Sequence, residues 1–328
     1  MPDPGPLLQP ILAMHARIRT AVLDACARAA QGELTRVAAD EGGDTIYGID
    51  RVSEAVLIAE LEVIARAAPI CLVAEGLPGG VLALPRGTRE SDCIWKLLVD
   101  PIDGTRGLMY QKRSGWILSG LAPNRGAATR LRDIVLAVQT EIPLLKQHLS
   151  DQLWAFRGAG VVARRHDRLS GRDEPLVVAP SSAETIAHGY ATVVRFFPGG
   201  RDVLAAIDDE LAAALLGPTA PGKALSFEDQ YACTGGQLYE MIAGHDRFIA
   251  DLRPLVGAGL CCHPYDLSTV LIAEEAGVRL TGVDGGPLDA PFDLEADVSW
   301  IGYANSTLRT AIEPVLRHAL RRRGLIPG

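Results

Sequence analysis

Two carboxylates close an apolar segment of the chain, with only a proline and an isoleucine between them. The segment runs from Trp95 to Thr105 and reads WKLLVDPIDGT. A carboxylate that follows a buried strand loses hydration, and coordination of a metal ion compensates that loss best. Oxygen ligands without an accompanying histidine favour Mg²⁺, with Mn²⁺ as an alternative, over zinc. The segment therefore predicts a divalent-metal site at the end of a buried strand.

The turn between the two acids brings further ligands and donors beside them. Pro101 fixes its own φ angle and has no N–H group to satisfy, so the turn can aim the Ile102 carbonyl and the Asp103 carboxylate at one point. The backbone N–H groups of Gly104 and Thr105 can meet an anion, and the Thr105 hydroxyl can orient a water molecule. Together these parts predict metal-assisted hydrolysis of a phosphate ester.

Two further acids occupy comparable positions elsewhere in the chain. Glu75 follows the apolar segment 70–74, and Asp266 opens a segment of helical pattern at 265–276. Taken singly, an Asp before a proline is usually a turn former, and an Asp in a first helical turn is usually a cap or a dipole partner. The ordered combination is more specific than any single acid, and we interpret it as one metal site.

The composition is that of an ordinary globular protein, and the net charge argues against nucleic acid as the ligand. Of the 328 residues, 48% are hydrophobic, and the net charge of −8 argues against a general nucleic-acid binder, which needs a basic face. No apolar run predicts a transmembrane helix, and residues 1–10 lack the pattern of a signal peptide. We therefore expect a cytoplasmic protein whose partner is a small phosphorylated metabolite, not a nucleic acid polymer or a membrane.

Six cysteines leave a choice between reduced thiols and a soft-metal site. They show no CxxC spacing in a chain without an export signal, which predicts buried, reduced thiols. The adjacent Cys261 and Cys262, followed by His263, are the alternative soft-metal candidate. Adjacent side chains point apart, however, and no second cluster completes a tetrahedron.

The apolar spacing predicts the elements that must position the acids. Helical periodicity covers 7–30, and a second helix is predicted at 53–67 after a short strand or turn at 45–50. Residues 77–92 are predicted to form a loop. This succession predicts a mixed sheet that is covered by the helix pair. The strands are predicted at 70–74, 94–99, 115–122, 133–140 and 153–163.

From residue 176 onwards the pattern alternates between strand and helix. Gly277 and Gly324 stand where the glycines that end helices belong. The Gly-, Arg- and Asp-rich stretch 165–175 is the best candidate junction, so we predict an N-terminal α+β half, 1–168, that carries the Asp-Pro-Ile-Asp-Gly-Thr site. The C-terminal α/β half, 169–328, would carry Asp266 and the segments that set specificity. Its strands are predicted at 176–179, 247–250 and 299–304, and its helices at 201–215, 229–243, 265–276 and 306–323.

The acids and their spacing resemble the inositol monophosphatase family. The resemblance is carried by Glu75 after a strand, by the segment 95–105, and by Tyr265-Asp266 followed by Glu-Glu-Ala-Gly at 274–277. The family is part of the lithium-sensitive, Mg²⁺-dependent sugar-phosphatase superfamily, with fructose-1,6-bisphosphatases and 3′-phosphoadenosine phosphatases. The resemblance covers roughly residues 10–310. It implies a fold of the α/β (α+β) class, the layered α/β/α/β/α sandwich, and a homodimer.

The resemblance also implies a phosphoric monoester hydrolase with two or three Mg²⁺ ions, and a role for each acid. Glu75 would be a ligand shared between the metals and would lie close to the attacking water. Asp100 would bridge two metals, and Ile102 would give its backbone carbonyl to one of them. Asp103 and Asp266 would bind the second metal, near the leaving group.

Further roles follow from the same resemblance. Glu75, Asp103 and Thr105 would be the catalytic residues, with Thr105 and Glu75 activating the water. Asp50, which precedes the second predicted helix, would support a third, weaker metal or its waters. The substrate would contact Gly104, Thr105, Arg106 and Asp266.

The chain departs from the family pattern where the substrate is expected. The usual second Glu after Glu75 is Gly76, the usual Trp before Asp266 is Tyr265, and the segment 234–254 is longer and more polar than expected. Several basic groups could bind a second phosphate or a sugar hydroxyl, or could be solvated loop charges. They are Arg106, Lys112, Arg113, His245 and Arg247.

We therefore expect a phosphatase that hydrolyses a small sugar, cyclitol or nucleotide phosphate monoester by metal-activated water. One alternative is a bisphosphate-specific phosphatase, acting on fructose 1,6-bisphosphate or phosphoadenosine phosphate. The other is a catalytically inactive relative that binds metal or phosphate.

Overall fold

A computed structural model describes residues 2–28, 37–41, 44–77, 79–218 and 220–327, without the side chains of 37–41 and 44–47. Runs of strands separated by helices make up the chain. The first are α1 (Gly5–Arg28), β1 (Val37–Glu41), β2 (Asp44–Tyr47), α2 (Gly48–Ile64), β3 (Ile70–Ala74), β4 (Val81–Leu84), β5 (Trp95–Asp103), α3 (Thr105–Met109), β6 (Gly115–Pro123), β7 (Leu136–Ile142), β8 (Leu149–Phe156), β9 (Val161–Asp167) and β10 (Arg172–Leu176). The others are β11 (Tyr190–Val193), α4 (Arg201–Leu216), α5 (Thr234–Ile242), β12 (Asp246–Asp251), α6 (Val270–Ala276), β13 (Arg279–Thr281), β14 (Trp300–Tyr303) and α7 (Ser306–Arg322).

Two sheets form the frame of the molecule. The larger has eight strands in the order β10-β9-β8-β7-β6-β5-β3-β4, and the smaller has four in the order β11-β12-β14-β13. The large sheet is mixed because β3 and β5 pair in parallel while their neighbours pair antiparallel. The strands β1 and β2 form a separate antiparallel pair.

The helices lie in three layers around the two sheets. Helices α1 and α2 pack on one face of the large sheet, against β7 and β5. Helices α5 and α6 lie between the sheets, and α4 and α7 cover the outer face of the small sheet. Each sheet buries apolar side chains on both faces, which gives three hydrophobic cores. The predicted α/β/α/β/α sandwich, a fold of the α/β (α+β) class, is thus confirmed.

Most of the predicted elements are present, and the predicted mixed sheet covered by a helix pair is confirmed. The buried strand 70–74 has the predicted bounds, and α4 and α7 differ from prediction by one residue. Gly277 and Gly324 follow helix ends with positive φ, as predicted. None of the described helices is long and apolar enough to cross a membrane. Residues 29 and 30 of the first predicted helix lie outside the described residues.

Several predictions were wrong in detail. The predicted loop 77–92 contains β4, and the predicted strand 153–163 is two strands, β8 and β9, separated by a turn with two positive-φ glycines. The predicted strand 176–179 ends at residue 176, and β11 and β13 were not predicted. The helix predicted at 53–67 begins at Gly48, so Asp50 lies in its first turn. Residues 165–175, the candidate junction, lie in the β9–β10 hairpin of the large sheet, and the division into the halves 1–168 and 169–328 stays a prediction.

Candidate active site

Three carboxylates from two distant segments of the sequence meet at one end of the large sheet. Asp100, Asp103 and Asp266 have carboxylate oxygens that all lie within 4.8 Å of one another. Asp100 and Asp103 retain only 3% and 7% of their exposure. We call these three residues the acid cluster.

Strand β5 delivers two members of the acid cluster because it continues through the proline. Its pairing with β6 runs from Asp100 opposite Leu118 to Asp103 opposite Trp116, so β5 has one extra residue at this point. Such a bulge turns a side chain that would face away into the site. The Ile102 N–H donates to Asp100 Oδ1 at 2.9 Å and fixes that carboxylate. The sequence predicted a strand that stops at Val99, since a proline usually ends a paired strand.

Two backbone N–H groups hold the other carboxylates of the acid cluster. The Gly235 N–H, in the first turn of α5, donates to Asp103 Oδ2 at 2.5 Å. Asp266 belongs to a 3₁₀ turn, Pro264–Leu267, which precedes α6, and its Oδ2 accepts from the His263 N–H at 2.7 Å. The helix predicted from 265 therefore begins as this turn, and Asp266 caps it while its other oxygen remains for a ligand.

The Thr105 hydroxyl connects the acid cluster to the first helix layer. It lies 2.8 Å from the Ile102 carbonyl oxygen and 3.1 Å from Asp50 Oδ1 in the first turn of α2. A hydroxyl has a single proton, so it donates to one of these acceptors and keeps its lone pairs for a further donor. Gly104, just before, has a φ of 83° and packs against Cys233, and a Cβ there would lie 3.0 Å from the Cys233 sulfur.

Burial and mutual repulsion set the electrostatics of the acid cluster. Burial raises the pKa of Asp100 well above its usual range, and the neighbouring Asp103, Glu75 and Asp266 carboxylates raise it further. Burial also raises the pKa of Asp103 to about 6, although the Gly235 N–H works in the opposite direction. The pKa of Asp266 rises through burial and then through the charge of Asp103. Carboxylates held in this way favour a cation.

The donor set fits Mg²⁺ or Mn²⁺. The acid cluster offers only carboxylate oxygens, and no cysteine or histidine joins it among the described residues. All six cysteines are buried and unpaired, as the sequence predicted. Cys261 and Cys262 belong to no metal-ligand cluster in the described part of the chain, which removes the basis for a soft-metal site.

The acid cluster opens into a cleft that reaches solvent. All the predicted site residues line this cleft, although Glu75 and Asp50 lie outside the group of oxygens within 4.8 Å. Arg106 is exposed at the cleft and lies over Phe197. The lining residues that the sequence predicted are Asp50, Glu75, Asp100, Ile102, Asp103, Gly104, Thr105, Arg106 and Asp266.

The other basic candidates lie elsewhere. Lys112 and Arg113 line a separate cavity, and Arg113 pairs with Asp229. His245 bonds to Glu240. Arg247 donates to the backbone carbonyls of Thr185 and Ala187. Of the five basic residues, the structure brings only Arg106 to the cleft.

Several lining residues were not identified from the sequence. Phe196, Phe197 and Arg253 form part of the cleft wall, and Glu54 lies on the side of Glu75. Arg253 is inside the segment 234–254, whose departure from the family pattern was the one available signal. The adjacent phenylalanines gave none, because a Phe pair is usually core.

Comparison with known proteins gives likenesses of structure only. No family model and no curated protein matches the sequence. A fructose-1,6-bisphosphatase from Leishmania major, in its holo form, has 13% identity and a TM-score of 0.72 over 96% of this chain and 94% of its own. The extragenic suppressor protein SuhB from Bartonella henselae has 16% identity and a TM-score of 0.67, and the match covers 95% of this chain and 98% of SuhB. An IMPase from Thermotoga maritima has 14% identity and a TM-score of 0.64, and the match covers 96% of this chain and 98% of the IMPase. The predicted resemblance in fold is therefore confirmed.

Proposed function

We propose that this chain is a metal-dependent phosphatase that hydrolyses small phosphate monoesters. The observation that carries the proposal is the acid cluster: three carboxylates from two distant segments, largely buried, with oxygens within 4.8 Å of one another and raised pKa values. Buried acids at this spacing destabilise a protein unless a cation binds them. The fold is similar to that of solved phosphatases, which also supports a phosphatase function.

The chain's own residues have distinct tasks in this proposal. Asp100, Asp103 and Asp266 hold two or three Mg²⁺ ions, with the Ile102 carbonyl and Asp50 as further ligands, and Mn²⁺ as the alternative metal. Bound there, the ions would supply a Lewis acid for the phosphoryl oxygens and a lowered pKa for the attacking water.

The water is positioned by protein groups. The Thr105 hydroxyl can donate its proton to the Ile102 carbonyl or to Asp50, so its lone pairs can accept a hydrogen bond from the water. Glu75, half-buried at the end of β3, is the base that takes the proton of the water. In this proposal Gly104 and Thr105 lie beside the transferred phosphoryl group, and Arg106 and Asp266 also contact the substrate.

A glutamate from another element lies close to Gly76, the position where the family pattern has a second Glu. Gly76 stands where a second Glu is usual and has a φ of 80°, a conformation that disfavours a larger residue. Glu54 of α2 approaches this position, with Oε2 3.5 Å from where a Gly76 Cβ would lie. A carboxylate is therefore present on this side of the cleft, which weighs against the inactive alternative.

The proposal is tested by release of inorganic phosphate from a panel of sugar, cyclitol and nucleotide monophosphates and bisphosphates. We expect turnover with Mg²⁺ and loss of turnover when EDTA removes the metal. If purified, folded protein releases no phosphate from any ester with Mg²⁺ or Mn²⁺, the chain is a non-catalytic binder instead.

A further inference from the structure

One wall of the cleft consists of two arginines and two phenylalanines. The Arg253 guanidinium lies 4.5 Å from the Phe196 ring centroid and 5.4 Å from that of Phe197. The Arg106 guanidinium lies 5.7 Å from the Phe197 ring centroid. All four residues line the cleft that contains the acid cluster. We call them the arginine–phenylalanine wall.

Arg253 is fixed in place and keeps donors for a ligand. Its side chain is 3% exposed and pairs with Asp251, which is fully buried, through Nε and Nη2. Nη1 donates to the Leu260 carbonyl at 2.9 Å. A guanidinium carries five N–H groups, so these contacts leave one N–H on each terminal nitrogen. A planar donor pair of this kind suits phosphate and carboxylate.

The loop that carries the two phenylalanines is also held rigidly. The Arg201 side chain donates to the backbone carbonyls of Arg195, Phe196 and Phe197. The loop ends at Gly200, which has a φ of 64° and lies so close to Val256 that a Cβ would come within 2.5 Å of that side chain. The wall is therefore preorganised, and a ligand loses little additional conformational entropy there.

The cleft has an acidic side and a cationic side. Its described carboxylates belong to the acid cluster or to Asp50, Glu54 and Glu75, and no described lining residue carries a carboxamide. The charge of Arg253 reaches the acids, since it lowers the pKa values of Asp103 and Asp266 against their overall rise. A neutral polyol would meet few acceptors on the wall, whereas an anion would meet two guanidinium groups.

We propose that the arginine–phenylalanine wall binds a second anionic group, phosphate or carboxylate, on the part of the substrate that is released. The inference rests on the proposed function for the cleaved phosphate, and it names the substrate class: phosphate monoesters that carry a second anionic group. Arg106 and Arg253 are then specificity-determining residues.

Two matched pairs of esters test this inference. Fructose 1,6-bisphosphate is compared with fructose 1-phosphate, and 3-phosphoglycerate with glycerol 3-phosphate, so each pair differs by one anionic group. We expect kcat/KM to favour the doubly anionic member of at least one pair by about tenfold or more, as one charge-assisted hydrogen bond allows. The pair with the larger ratio identifies phosphate or carboxylate as the second group.

Two variants test whether the arginine–phenylalanine wall causes the preference for esters with a second anionic group. Arg106→Gln removes an exposed charge. Because Arg253→Gln alone leaves Asp251 buried without a partner and can unfold the chain, Asp251→Asn/Arg253→Gln removes both charges together. We expect each variant to reduce the ratio within a pair to about threefold or less, mainly through KM. Arg172→Gln, at an exposed position of the edge strand β10, is the matched control and should keep the wild-type ratio.

The outcomes separate the inference from the proposed function. Equal hydrolysis within both pairs, or ratios that persist in both wall variants, overturns the inference while phosphatase activity stands. If no ester is hydrolysed, the proposed function fails, and calorimetric titration of the same four esters with Mg²⁺ decides the inference by binding. Tighter binding of the doubly anionic esters that is lost in both wall variants supports it, and equal affinity overturns it.

Discussion

At the scale of single residues, the acid cluster places like charges together inside the protein. Asp100, Asp103 and Asp266 repel one another, and burial adds a desolvation cost to each. Few backbone donors offset this cost: the N–H groups of Ile102, Gly235 and His263 each donate to one oxygen. Groups kept in such an unfavourable state usually serve function at the expense of stability.

Replacing Asp103 should therefore separate function from stability. We expect Asp103→Asn to lower kcat with Mg²⁺ by about 10²–10³, the usual effect of losing one charge-stabilising group at a reacting centre. Phosphate release measures this effect. Asp209→Asn, on the exposed face of α4, is the matched control and should keep wild-type activity. Full Mg²⁺-dependent activity in Asp103→Asn would contradict the assignment of the site.

The raised pKa of Asp103 makes the metal-free protein sensitive to pH. This pKa is 3.8 in an ordinary environment and about 6 in the folded chain, so the folded state binds the proton more tightly. Its contribution to the free energy of unfolding is present below pH 3.8 and is lost as pH rises through about 6.

Asp103→Asn lacks this pH-dependent contribution. Between about pH 4 and pH 7 we expect the variant to gain stability relative to the wild type, by an amount on the order of 1–3 kcal/mol. Urea unfolding in EDTA at several pH values measures the difference between the two proteins. A difference that does not change with pH would show that Asp103 titrates normally.

At the scale of elements, the sequence predicted those helices and strands whose own residues carry a clear apolar pattern. Strand β3 is a continuous run of buried apolar residues, β5 buries Leu97 to Val99 in succession, and α1 has clear helical spacing. Strand β4 is mostly half-buried, and β13 has three residues, so neither carries a strong pattern. Such elements depend on pairing with a neighbour that the sequence does not identify.

The parts of the candidate site that are close together in sequence were predictable, and the parts that depend on tertiary contacts were not. The ligands of β5 are adjacent in sequence and were identified with their neighbours. The bulge that carries β5 past Pro101 was not predicted, because it depends on the pairing with β6. The contact between Phe197 and Arg253 was also not predicted, because it depends on how two segments that are distant in sequence pack together on one wall of the cleft.

The N-terminus of α5 is the element on which the position of Asp103 depends. A Cβ at Gly235 would lie 2.5 Å from Leu118 Cδ2 and 3.1 Å from Asp103 Oδ2. Leu118 is fully buried in β6 and packs in the hydrophobic core between the sheets, so any shift of its side chain disturbs that packing. Gly235→Ala should therefore push α5 away from the sheet, lower stability by about 1–3 kcal/mol and reduce kcat/KM about tenfold or more.

A second glycine supplies the control for this substitution. A Cβ at Gly259 would meet nothing within 4 Å, and its φ is not in the positive range. Gly259→Ala should leave both the unfolding midpoint and kcat/KM close to those of the wild type. If Gly235→Ala behaves like Gly259→Ala in both measurements, α5 does not position the carboxylate.

At the scale of the whole molecule, the lining acids come from different layers. Asp50 belongs to α2, Asp100 and Asp103 to the large sheet, and Asp266 to the turn that leads into α6 between the sheets. The proposed ligands are therefore assembled only in the folded chain. A metal ion that binds them binds the native state and not the unfolded chain, so its binding energy adds to the stability of the fold.

Mg²⁺ should accordingly raise the unfolding temperature. At 100 times its dissociation constant a ligand adds about 2.7 kcal/mol, which corresponds to a shift of a few degrees in a chain of this size. Scanning calorimetry with increasing Mg²⁺ measures the shift. Asp209→Asn should show the wild-type shift, whereas Asp103→Asn should start from a higher unfolding temperature without metal at neutral pH and gain less from Mg²⁺. Equal shifts in the two variants would place the stabilising ion outside the acid cluster.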